Sequence, residues 1–179
     1  LRPRNNAEAV GNRIWQTGQA HGIVLTGTPV FRARRIEAGM MSQAEFDETT
    51  TPYDAGLGHF VKIDDRDFIG KAALETADKR NRTFGMRVRG GIAERGRTLS
   101  IDGKIVGQVC SSSWSPFQQC GVALVRVDDP ATGPGTEVRV LGNDQKTYEA
   151  VLCGLPMYDA AGDIVRGRVT DPPSGPDPW

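Results

Sequence analysis

Asp102-Gly103 stands between two apolar runs, Thr98 to Ile101 and Lys104 to Val109. An Asp-Gly pair in that setting is a strong hairpin signal, because both central positions of a type I′ turn need positive φ. It commits this part of the chain to antiparallel β-structure, and the same pattern recurs on both sides. Phe84, Met86 and Val88 alternate with Gly85, Arg87 and Arg89, and Gly121 to Val127 is a further apolar run. Glu137 to Leu141 and Thr147 to Cys153 flank Gly142-Asn143-Asp144, Pro134-Gly135 marks a turn, and Leu155-Pro156 ends the run. Beyond a turn at 159–163, Ile164 to Val169 reads as a last strand. Strands at this spacing predict a small antiparallel barrel or sandwich over 83–170. The tail 171–179 is Pro-rich and reads as extended or disordered.

Upstream of the charged stretch Lys79-Arg80-Asn81-Arg82 the pattern is helical. Asn5 and Glu8 resemble a capping box, Ala7, Val10 and Ile14 follow at helical spacing, and Gly22 reads as the stop. Ile23 to Leu25 reads as a short extended segment. Thr28 as cap, Pro29 at the first helical position and Gly39 as terminator define a second helix. Thr51-Pro52 forces extended or turn geometry. Leu57 to Ile63 then alternates as a strand, and Asp67 reads as the cap of a helix over FIGKAALETADKR. Residues 1–82 hold too few strands for a sheet of their own. They are expected to be the end of a larger domain, and the chain a piece of a longer protein.

Composition narrows the function classes. Lys plus Arg and Asp plus Glu are both 22, so the formal net charge is zero, which argues against a dedicated nucleic-acid binder. Cys110, Cys120 and Cys153 are widely spaced and there are only two histidines, His21 and His59, so no zinc-type ligand spacing exists. Three buried thiols in a reducing compartment are expected. No apolar run reaches membrane-spanning length and no signal peptide opens the chain. The expected setting is cytoplasmic, with no membrane and no nucleic-acid partner.

Two features invite a site. Arg32 and Arg35 share a helix face and Arg34 flanks them. Near a helix C-terminus such a cluster serves the dipole and solvation, or else it is an anion clamp, since each guanidinium offers a fixed fork of donors. His59 lies on an otherwise apolar face, where a lone histidine is more often a core or rim residue than a catalytic one.

The order of the motifs resembles the aminomethyltransferase family, that is, the glycine cleavage T-protein and tetrahydrofolate-dependent demethylases. The anchors are Arg35-Ile36-Glu37-Ala38-Gly39, Thr51-Pro52 through Gly56-Leu57, Asp67 through Leu74, Gly107 with Ser111 to Ser113 and Ser115-Pro116, Pro134-Gly135-Thr136, and Gly154 through Met157. The resemblance implies an α+β fold: the C-terminal part of a folate-binding α+β domain (1–82), followed by a small antiparallel β-barrel domain (83–170). It implies tetrahydrofolate as cofactor and a small-molecule methyl or aminomethyl donor. Arg35 stands where the family's folate-binding arginine stands, and His59 where the T-protein has a Trp that can stack on the cofactor. His59 can also stack, but a histidine adds a titratable group there, which leans towards a paralogue. Glu37 of the same motif is as readily structural, holding the turn or pairing with an arginine, as part of the cofactor site. The triple serine lacks the family's usual Gly, and Gly133 replaces an Arg found near folate in some members. The family's catalytic carboxylate belongs to the N-terminal half of the folate domain. No segment here matches that half, so the half is an implied partner and the chain alone is expected to be inactive.

The resulting expectation is one part of a tetrahydrofolate-dependent aminomethyl or methyl transferase, contributing folate contacts and the barrel. The alternative from the same family is a non-enzymatic folate-binding or scaffold module. An iron–sulfur assembly role is disfavoured, because the cysteine motif of that branch is missing. An RNA-binding barrel built on Arg80, Arg82, Arg87, Arg89, Arg95 and Arg97 is disfavoured by zero net charge and few nearby aromatics.

Overall fold

The computed structural model describes residues 6–170. Its elements in order are α1 (Ala7–Gln19), α2 (Thr28–Glu37), a 3₁₀ turn (Gly58–Phe60), α3 (Lys71–Thr76), β1 (Thr83–Val88), β2 (Thr98–Ile101), β3 (Lys104–Ser115), β4 (Cys120–Val127), β5 (Glu137–Leu141) and β6 (Thr147–Cys153). The six strands form a closed barrel in the order β1-β4-β3-β2-β5-β6, and every pairing is antiparallel. Closure by β1 against β6 removes the exposed edges that an open sheet of this size would carry.

The predicted hairpins form where the turn residues stand. Asp102 and Gly103 take φ of 48° and 82°, the left-handed geometry the tight turn demands. The alternating residues fill the interior: Met86, Val88, Leu99, Val109, Ala123, Val125, Val138, Val140 and Leu152 make one apolar cluster. A second cluster lies outside the barrel, where α2 packs. There Ile36, fully buried, meets Cys120, Val122, Leu124 and Met157.

Strand β3 extends past the predicted end at Val109 through the triple serine, because it pairs with β4 along its length. A bulge at Cys110 re-phases it. Val109 lies opposite Val125 of the interior cluster, whereas Ser111 lies opposite Leu124 of the outer cluster. One extra residue thus moves the odd-numbered serines to the outer face, towards α2.

Four expectations are corrected. Leu57 to Ile63 is a 3₁₀ turn and coil, not a strand. No described strand pairs with it, and alternation cannot make a strand without a partner. The third helix covers only Lys71–Thr76, because Gly70 at φ 91° is non-helical and Ala77 is already extended. Ile164 to Val169 is a series of turns. The Asp159 carboxylate accepts the N–H groups of Asp163 (2.7 Å) and Ile164 (3.2 Å), a local alternative to strand pairing. Helix α2 is capped by Gly27, with Thr28 as its first residue. The predicted Asn5 cap and the 171–179 tail lie outside the described residues.

Two outcomes test this packing. Ile36→Ala should lower stability by about 3 kcal/mol, since it opens a cavity between helix and barrel, and denaturant unfolding reads the loss. Burial also pushes the Cys120 thiol up to about 11 from its ordinary value of 9.0. The folded pKa exceeds the unfolded one, so this contribution is complete below the unfolded value and is lost as pH rises through the folded value. Unfolding free energy should therefore fall between about pH 9 and pH 11, and Cys120→Ala should reduce that decline.

Candidate functional site

Two buried carboxylates tie α2 and the segment after it to the outer face of β3. Glu37, at the end of α2, is 1% exposed and Glu45 is 2% exposed. The Glu37 carboxylate accepts hydrogen bonds from Ser115 Oγ, from Arg34 Nη1 at 2.8 Å and from Tyr158 Oη at 3.1 Å. Glu45 accepts from Ser111 Oγ, from the Ser42 backbone N–H at 2.7 Å and Oγ at 3.1 Å, and from Arg35 Nη1 at 3.2 Å. A carboxylate removed from water is tolerated only when paired and fully hydrogen-bonded, and both meet that condition. Phe117 stacks on Tyr158 with ring centroids 4.5 Å apart, and the Arg34 guanidinium lies over the Phe117 ring at 5.4 Å.

Beside these knots, between the first turns of α2, the segment after it and β3, lies a cavity of about 1000 Å³. One wall is α2, with Arg32, Arg34 and Arg35. The floor is Ser111 to Trp114 of β3, and the far wall carries Ile92 and Arg95 from the segment between β1 and β2. Pro29, Val30, Pro116 and Trp114 supply the apolar surface. Among the described residues no carboxylate lines the cavity, so its four arginines give it a positive potential.

Arg35 sits on this wall with an 11% exposed side chain. Its Nη1 donates to the Met40 carbonyl at 3.1 Å and to Glu45. Its Nε and Nη2 make no hydrogen bond to a described residue. Glu45 therefore fixes the guanidinium in the wall while part of its donor fork stays available. His59 lies elsewhere, exposed in the 3₁₀ turn and stacked on Phe60 with ring centroids 4.1 Å apart. It does not line the cavity, so the fold does not bring the two candidate residues into one pocket in this chain.

Glu37 pairs with Arg34, as the sequence led one to expect. Glu45 was missed. It lies in a polar segment with no periodicity, and its partner Ser111 is 66 residues away. Trp114 was also missed as a wall residue, since its placement depends on the bulge at Cys110. Among the described residues no group of three or more His, Cys, Asp or Glu could hold a metal ion.

Comparison with known proteins assigns both parts of the chain. Residues 1–65 match the family model described as the GCVT N-terminal domain, and residues 79–159 match the glycine cleavage T-protein C-terminal barrel domain. The chain belongs to the glycine cleavage T-protein family. It is 34% identical over 154 residues to an aminomethyltransferase of Prochlorococcus marinus, a match covering 83% of this chain and 41% of that protein. A Streptomyces coelicolor aminomethyltransferase is 35% identical over 166 residues, covering 84% and 43%. A trimethylamine-oxide aldolase of Ruegeria pomeroyi is 33% identical over 166 residues, covering 86% and 20%. The chain thus spans about two-fifths of the length of the aminomethyltransferases it matches. The crystal structure of the glycine cleavage system aminomethyltransferase T from Bartonella henselae superposes with a TM-score of 0.73 at 24% identity, covering 88% of this chain and 45% of that one. That likeness shows the fold, a T-protein-like barrel with its flanking helices.

Removing a Glu45 partner should be costly. Glu45→Ala leaves Ser111 and the Ser42 amide without their carboxylate acceptor and Arg35 without its counter-charge, and is expected to cost about 3 kcal/mol, whereas the isosteric Glu45→Gln should cost roughly half as much. Parallel denaturant titrations give both values.

Proposed function

We propose that this T-protein family chain is one part of a tetrahydrofolate-dependent transferase of one-carbon units, aminomethyl or methyl, from a small-molecule donor. The observation that carries the reading is the acid-free, arginine-lined cavity with its Trp114 wall, in a chain of this family. Its volume is at the upper end of what ligand sites of drug size use. Cationic and flat apolar groups together suit a ligand that joins planar rings to carboxylates. The residues present fit tetrahydrofolate in that chemical sense. Bound tetrahydrofolate would supply N5 or N10 as the acceptor of the one-carbon unit.

The role of the chain's own residues is binding and orientation. Arg35, held by Glu45, offers its remaining donors to the cofactor. His59, exposed beside Phe60, is proposed to stack on the part of the cofactor that the N-terminal half of the folate domain encloses. That half is the proposed partner, and the acid–base carboxylate is assigned to it. The bare face of α1 supports such a partner: the helix buries no residue, and Ile14 and Trp15 are 58% and 40% exposed. A demethylase paralogue of the T-protein is the favoured branch, because a histidine stands at position 59. The setting is proposed as cytoplasmic on the strength of three unpaired cysteines. No helix among the described residues is long and apolar enough to cross a membrane.

Calorimetric titration of the chain with tetrahydrofolate tests the proposal. Arg35→Ala should weaken binding by about tenfold or more, the cost of one hydrogen bond between charged groups. Arg35→Lys, which keeps the charge and loses the fork, should fall between the two. Thermal melts of each variant separate lost binding from lost folding. Equal affinity in all three folded proteins would remove Arg35 from the site.

A further inference from the structure

Not all of the cavity's positive charge is compensated by the protein. Arg34 is neutralised by buried Glu37 and Arg35 by buried Glu45. Arg32 and Arg95 line the same space, and neither makes a hydrogen bond or ion pair with any described residue. They approach from different parts of the fold. Arg32 projects from the middle of α2, and Arg95 from the segment between β1 and β2. With no carboxylate in the lining, only a ligand or solvent ions can balance these two guanidiniums. Trp114, 39% exposed, gives the same cavity a flat aromatic surface.

We infer that Arg32 and Arg95 form a two-cation subsite that takes the two carboxylates of a dianionic ligand whose planar ring rests against Trp114. The inference rests on the tetrahydrofolate reading for the identity of that ligand: the carboxylates are those of the glutamate tail. It divides the labour among the arginines. Arg35 is fixed in the wall by Glu45 and is half spent on the fold, so it orients. Arg32 and Arg95 hold their full donor forks for the ligand and supply the charge-dependent part of affinity. The subsite also spans the helix and the barrel, so a dianion seated there would brace one against the other.

The test is calorimetry on the full 179-residue chain with three probes. These are tetrahydrofolate, tetrahydropteroate (the same molecule without its glutamate) and p-aminobenzoyl-L-glutamate (the ring and tail without the pterin). Arg32→Ala and Arg95→Ala should each weaken tetrahydrofolate by about tenfold and flatten the salt dependence of its binding. Tetrahydropteroate, which carries one benzoate carboxylate in place of the two of the tail, should lose clearly less affinity than tetrahydrofolate in each variant. Both residues are exposed, so the variants should melt with the wild type, and Arg32→Gln and Arg95→Gln replace them if they do not. Unchanged tetrahydrofolate affinity in the double variant would overturn the inference, and so would an equal loss for tetrahydropteroate. If only p-aminobenzoyl-L-glutamate binds, and binds through these arginines, the dianion subsite stands and the folate reading falls. If none of the three binds, both fall.

Discussion

The structure depends on two carboxyl side chains, Glu37 and Glu45, buried against the outside of a β-barrel. A glutamate in such a place is destabilising unless its lone pairs are met and its charge is balanced. Glu37 and Glu45 each find a serine hydroxyl from β3 and an arginine from α2. Because each carboxylate draws partners from separate segments, it fixes those segments relative to one another. Glu37 joins the end of α2, the start of the β3–β4 turn and Tyr158. Glu45 joins α2, the segment after it and the middle of β3. The apolar contact of Ile36 with Val122 and Leu124 lies between the two knots and supplies the non-directional part of the attachment.

The same two knots shape the cavity. They consume one arginine each and leave Arg32 and Arg95 without a protein counter-charge. The site's positive potential is therefore a residue of the fold's own pairing rather than of the overall composition, which is electrically neutral. A family member built this way can present cations to a ligand without being a basic protein. It can also present them rigidly, since the guanidinium of Arg35 is held by a buried partner instead of moving in solvent.

Much of this architecture was legible. The turn residues Asp102-Gly103 and Gly142-Asn143-Asp144 announced the hairpins: the first pair takes the positive φ that a tight turn needs, and in the second turn Gln145 takes it. The alternating runs announced which side chains face the interior. Arg35-Ile36-Glu37-Ala38-Gly39 pointed to a helix end with a structural glutamate. Two of the failures were of one kind. Leu57 to Ile63 and Ile164 to Val169 carry the strand pattern but have no neighbouring strand to complete their hydrogen bonds. The third helix was drawn through Gly70, whose left-handed backbone forbids it.

What the sequence by itself determined is therefore everything that depends on neighbours a few residues apart: hairpin turns, amphipathic faces, the end of α2 and the absence of a basic excess. What only the tertiary structure decided is what depends on pairing across long stretches of chain. The bulge at Cys110 turns Ser111 and Ser115 outward, and that single register shift brings them to Glu45 and Glu37, 66 and 78 residues distant. No periodicity records it, because a one-residue slip changes the face of a strand without changing its composition. Which arginines are spent on the fold and which remain for a ligand follows from that register.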